Sequence, residues 1–186
     1  LLNFFHDSLR LATQHRYLNT DEARRAAHAR LAQYFGNQPN YLQQDDTRQT
    51  PDTRRDRDSP PPASARSTTS TRSTRSTDIP NRRRADELAW QLLRAEQHDR
   101  LAAVLEDLFF LEAKVQAGWT FDLTQDFTEA VRALPPNHAQ RRLLILLEEA
   151  FRRDIYFVAR HAADYPQALF QCLWNFCWWY DCGDAK

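Results

Sequence analysis

No methionine occurs in this chain, which opens on Leu1 and Leu2. Translation begins with Met, so the 186 residues are expected to be an internal piece of a longer protein. With only three glycines it has no glycine-rich loop to cradle a phosphate, and it also lacks the G-x-S-x-G elbow and the H-E-x-x-H zinc helix. The chain is therefore expected to carry no catalytic site of its own. Its three cysteines, Cys172, Cys177 and Cys182, are spaced by five, which suits neither a C-x-x-C pair nor an even-numbered disulfide framework, and they read as reduced thiols. No apolar run approaches the roughly 18 residues of a membrane span, and the first residues do not form a basic stretch followed by an apolar one. A cytoplasmic protein without a membrane partner is the default expectation.

Excess charge is absent as well: 25 basic residues balance 25 acidic ones, so the average points to neither nucleic acid nor a membrane surface. The balance is uneven along the chain, because residues 44–84 carry an excess of Arg over Asp. Between 44 and 80, Pro60, Pro61 and Pro62 precede a Ser/Thr/Arg run from Ser64 to Thr77, and Ile79 is the one apolar side chain larger than Ala apart from proline. Such a stretch cannot offset the entropy of ordering it, so 44–80 is expected to be a disordered low-complexity insertion. A nucleic-acid role for it is disfavoured, because no aromatic residues are interleaved for base stacking.

What the sequence does contain is helical periodicity. Asn19 followed by Glu22 predicts a capped start, and Ala27, Leu31 and Tyr34 or Phe35 then share a face until Gly36 and Pro39. Further stripes are expected at Leu88, Leu92 and Ala95, at Leu101, Val104, Leu105 and Leu108, and at Leu123, Phe127, Val131 and Leu134 before Pro135 and Pro136. Gly118 is expected to close a short helix from Phe110 to Ala117 in a left-handed cap. The longest helix is expected over 139–163, with Leu143, Leu147, Phe151, Ile155, Val158 and Ala162 on one side. After Asp164, Tyr165 and Pro166, a last apolar helix carries Leu169 to Trp179. The predicted class is all-α, an irregular antiparallel helical array resembling an α-solenoid arm.

Phe4, Phe5, His6 and Asp7 lead into the apolar residues from Leu9. Taken alone, His6 and Asp7 are most simply an acid near a helix amino-terminal dipole and its neighbour. The order of segments adds to this. Phe-His-Asp is followed by Tyr17-Leu18, by Leu31-Ala32-Gln33-Tyr34-Phe35, by Glu87-Leu88-Ala89-Trp90-Gln91-Leu92-Leu93, and by the run from Leu108 to Gly118. Together they resemble the NACHT and NB-ARC (STAND) signalling ATPases, in the region between the nucleotide-binding core and the WD repeats of animal apoptotic protease-activating factor and its bacterial relatives.

The resemblance implies that 1–18 end a winged-helix domain, and that 19–43 and 81–186 form a helical arm leading to WD or tetratricopeptide repeats. His6 would match the His of the family's Met-His-Asp motif, with Phe5 in place of Met, and would be a nucleotide contact on bound ADP. ATP or ADP with magnesium would be cofactors of the longer protein and not of this piece, since the phosphate loop and the acidic metal-binding strand would lie upstream. Its partners would be neighbouring domains of the same chain, protein partners and, through a nucleotide-driven homo-oligomer, copies of itself. The other reading is a helical-repeat adaptor for protein partners with no link to a nucleotide.

The end of the chain is densely aromatic, with Trp174, Phe176, Trp178, Trp179 and Tyr180. The simplest reading is a helix packed against a following domain. A metal site from His161, Cys177 and Cys182 is disfavoured, because thiols five apart share neither a knuckle nor a helix face.

Overall fold

Thr20 caps α1 (Asp21–Gly36): its hydroxyl accepts from the Ala23 amide at 3.1 Å, and Asp21 and Glu22 occupy the first turn, where the amino-terminal dipole favours negative charge. The computed structural model describes residues 11–12, 16–43, 78–162, 164–165 and 167–181. Among these residues the chain is helical apart from one small two-stranded sheet. After α1 come β1 (Tyr41–Gln43), β2 (Asp78–Pro80), α2 (Arg82–Arg94), α3 (His98–Glu106), α4 (Leu108–Gln116), α5 (Thr120–Ala133), α6 (Arg141–His161) and α7 (Ala168–Asp181).

Helix ends follow local chemistry. Asn81 caps α2 by accepting from Arg84 N at 3.2 Å, and Asp107 separates α3 from α4 by accepting from Phe109 N at 3.0 Å. Gly118, at φ 91°, closes α4 in a Schellman motif: Trp119 N donates to Lys114 O and Gly118 N to Val115 O. The end of α2 uses the same motif with Glu96 at φ 55°, a left-handed position that a side chain rarely takes. An Arg25 guanidinium nitrogen lies 2.8 Å from the Glu96 carboxylate there. Leu134 turns to extended backbone ahead of Pro135 and stops α5.

One core runs through the array. Leu88 and Leu92 of α2 meet Leu101 and Leu105 of α3, Phe110 and Leu111 of α4, Leu123 and Phe127 of α5, and Leu144, Phe151 and Val158 of α6. Leu169 and Leu173 attach α7. The principal neighbours are α1 with α2, α5 with α6, and α6 with α7, while α2 also reaches α3, α4 and α5.

Several sequence expectations need correction. The first cap is Thr20 and not Asn19. On α1 the inward residues are His28, Ala32 and Phe35, whereas Leu31 and Tyr34 are exposed. Apolar side chains occur on adjacent faces there, and the choice is made by α2, whose Gln91 side chain meets His28 Nδ1 at 2.7 Å. Leu108 belongs to α4 and is exposed, because Asp107 ends the α3 stripe. On α6 the stripe starts at Leu144, with Leu143 facing out.

The sheet was not foreseen. Tyr41 pairs with Pro80, Leu42 with Ile79 and Gln43 with Asp78, antiparallel, so Asp78–Pro80 is strand although it fell within the expected insertion. Residues 44–77 lie outside the described residues. Gln43 and Asp78 being directly opposed, an Asn-Gly hairpin turn fits between them. Replacing 44–77 by Asn-Gly is expected to change stability in thermal unfolding by less than about 1 kcal/mol. A loss above about 2 kcal/mol would show that the segment packs on the helices.

Candidate functional site

Two polar clusters are built into the helices. In the first, Lys114 sits between Ala113 and Val115 on the buried side of α4 and donates to Asp126 Oδ2 of α5 at 2.6 Å. The Lys114 side chain is 1% exposed and that of Asp126 15%. Burial pushes the Asp126 carboxyl up to about 6, against the pull of Lys114. A hollow of about 330 Å³ above the pair is rimmed by Asp86, Glu87, Asp122 and Glu129 with Trp90 and Gln125. Among the described residues no group of three or more His, Cys, Asp or Glu is placed to hold a metal ion. The pair sets opposite charges against each other at the edge of the core.

In the second cluster Arg84, 8% exposed, donates to the Phe35 and Gly36 carbonyls at 2.5 and 3.1 Å and to Asn40 Oδ1 at 2.7 Å. Its guanidinium also lies over the Phe110 ring, 5.8 Å from the centroid. Burial lowers its pKa, and Asp107 opposes that shift. These bonds satisfy carbonyls at the end of α1 and fasten the root of the β1/β2 pair to α2. Beside it a cavity of about 690 Å³ is lined by Tyr41, Asp78, Asp107 and Phe109. The Tyr41 hydroxyl is buried near Glu112 without a regular hydrogen bond, and burial followed by that carboxylate raises its pKa. Glu112 is raised in turn, chiefly by burial.

The third feature faces outward. On α7 Ala168, Leu169 and Leu173 are buried and Cys172 and Phe176 pack half-buried against the core, leaving Phe170, Trp174 and Trp178 in solvent at four-residue spacing. Their rings stack in series, with centroids 6.1 Å apart from Phe170 to Trp174 and 6.4 Å from Trp174 to Trp178. At one end Phe170 meets exposed Leu108 and Phe109 of α4 around a hollow of about 320 Å³ that Glu112 and Gln167 border. At the other, Trp174, Cys177, Trp178 and Asp181 enclose about 440 Å³. Phe170, Trp174 and Trp178 thus form a continuous exposed aromatic strip along α7.

Residues 1–10, with Phe5, His6 and Asp7, lie outside the described residues, as does Cys182. Cys172 is half-buried, its thiol pushed up by burial, and Cys177 is exposed in the hollow beside Trp178. The His161 ring packs against Phe157 at 4.6 Å. Sequence reading found the aromatic helix but missed Leu108 and Phe109 as its continuation, and it missed Lys114 and Arg84 altogether. A signal for Lys114 existed: it is one of only two lysines in the chain and is flanked by apolar residues.

Comparison of the chain with protein-family models, curated proteins and solved structures gave no match.

Proposed function

We propose that this chain is a helical scaffold that works by docking a neighbouring domain or protein, and that it serves as the arm of a STAND-type ATP/ADP switch protein. The observation that carries the docking role is the stacked, exposed strip of Phe170, Trp174 and Trp178. The switch role draws on the order of segments from Phe5-His6-Asp7 to Gly118, which resembles that of the signalling ATPases. In this reading an upstream module binds ATP or ADP with magnesium, His6 contacts ADP in the closed state, and the arm transmits release of a carboxyl-terminal repeat sensor. Fold, in this role, means an irregular solenoid-like arm following the end of a winged-helix domain. The chain itself supplies rigidity and surface, not chemistry.

The test uses the longer protein. A hydrogen bond to a charged phosphate is worth roughly 1.5 to 3 kcal/mol, so His6→Ala is expected to shift the closed-to-open ratio by about ten- to a hundredfold. Faster ADP loss together with assembly in the absence of stimulus is the expected result. Unchanged nucleotide exchange, or no G-x-x-x-x-G-K-[ST] loop upstream, would leave the adaptor role without a nucleotide link.

A further inference from the structure

The ladder on α7 has direction and ends. From Phe170 to Trp178 a helix rises about 12 Å, and each end opens into a hollow lined by the outer ring of the ladder. A straight helix laid along this strip places side chains seven or eight residues apart over the two hollows, with an intermediate one against Trp174. Both ends are also acidic: Glu112 borders the hollow at Phe170 and Asp181 the one at Trp178. Among the described residues no basic side chain forms an ion pair with either. Arg153 lies over Phe176, whose ring does not belong to this ladder, and pairs with Asp154.

The charges decide between occupants. A second copy of the chain, laid antiparallel, would bring its Asp181 against Glu112 at both ends. Laid parallel, it would set Asp181 against Asp181. Either way, like charges meet at the rim of an apolar contact, which is unfavourable.

We propose that this strip is the seat of a partner's amphipathic helix, with apolar anchors seven or eight residues apart and a Lys or Arg one turn beyond each anchor. The proposal rests on the docking role given above and adds the partner's chemistry. The anchors fill the two hollows, and the flanking cations meet Glu112 and Asp181.

The experiment titrates the 186-residue chain, followed by titration calorimetry, with three helical peptides of identical apolar pattern whose flanks are basic, neutral or acidic. The basic-flanked peptide is expected to bind about tenfold more tightly than the acidic one, and the gap should narrow at high salt. In Glu112→Gln/Asp181→Asn the preference should fall to within about twofold, while Trp174→Ala/Trp178→Ala, with unchanged circular dichroism, should lose binding of all three. Equal binding of the three peptides overturns the basic-ended partner and leaves the docking role standing. Absence of binding by any of them, with dimers in sedimentation that Trp174→Ala dissolves, overturns it in favour of a second copy. Absence of both binding and self-association overturns the proposal and the docking role together.

Discussion

Lys114→Met is expected to destabilise the protein by about 3 to 5 kcal/mol at pH 7 in urea unfolding, because it strands the Asp126 carboxylate among Asp86, Asp122 and Glu129 with its ion-pair partner gone. The pH dependence is as diagnostic as the size. Burial holds the folded Asp126 carboxyl at about 6, above its ordinary value of 3.8, so between those values the folded chain binds more protons than the unfolded one. This group's contribution therefore falls as pH rises through the window from about 4 to 6, by roughly 3 kcal/mol in all. Without Lys114 the folded value moves higher still, and the loss extends toward neutrality. The variant should thus be much closer to the parent at pH 4 than at pH 7. Lys114→Met/Asp126→Leu should recover most of the stability, since a buried ion pair replaced by apolar residues of similar volume is often neutral. A cost below about 1 kcal/mol, equal at both pH values, would mean that the pair does not hold α4 to α5.

The second large effect belongs to Arg84. Arg84→Met keeps an unbranched apolar stem but removes the donors to the Phe35 and Gly36 carbonyls and to Asn40, as well as the cation over Phe110. Hydrogen bonds from a charged group contribute roughly 1.5 to 3 kcal/mol, and stranded acceptors add their desolvation, so a loss of about 3 kcal/mol is expected in chemical denaturation. Arg84→Lys should recover less than half, because an ammonium cannot fork between Asn40 on one side and two carbonyls on the other. Amide exchange at Leu42 and Ile79 should quicken in both variants, since the strand pair is fastened through Asn40. Full recovery by lysine would assign the whole effect to charge and not to the fork.

Local signals were the legible ones. Gly118 and Pro135 announced their helix ends, since left-handed backbone and the restriction ahead of proline act within one or two residues. The α5 stripe of Leu123, Phe127 and Leu134 was legible for a related reason: polar residues flank it, leaving one possible inner face. On α1, Leu31, Ala32, Tyr34 and Phe35 offer apolar groups around most of the circumference, and only the approach of α2 selects Ala32. The β1/β2 pair was hidden because three-residue strands carry almost no alternation, and their pairing joins residues far apart in sequence. Arg84 was hidden because it follows Arg82 and Arg83 and looks like one more solvated charge, although its side chain alone of the three is buried. At the candidate site, the aromatic run of α7 was plain in the sequence. The acids that give its two ends their character come from different helices, and only folding places Glu112 and Asp181 at opposite ends of one strip.

The clasp formed by Tyr41–Gln43 and Asp78–Pro80 gives the chain a natural grafting point. Because the two strands leave the helices side by side, a guest domain whose own termini lie close together can be spliced between Gln43 and Asp78 without pulling α1 from α2. Entropy places little limit on the size of the guest, since doubling a flexible connection costs only about 0.6 kcal/mol. A fluorescent protein or an affinity module carried there would report on the helices from within their own sequence.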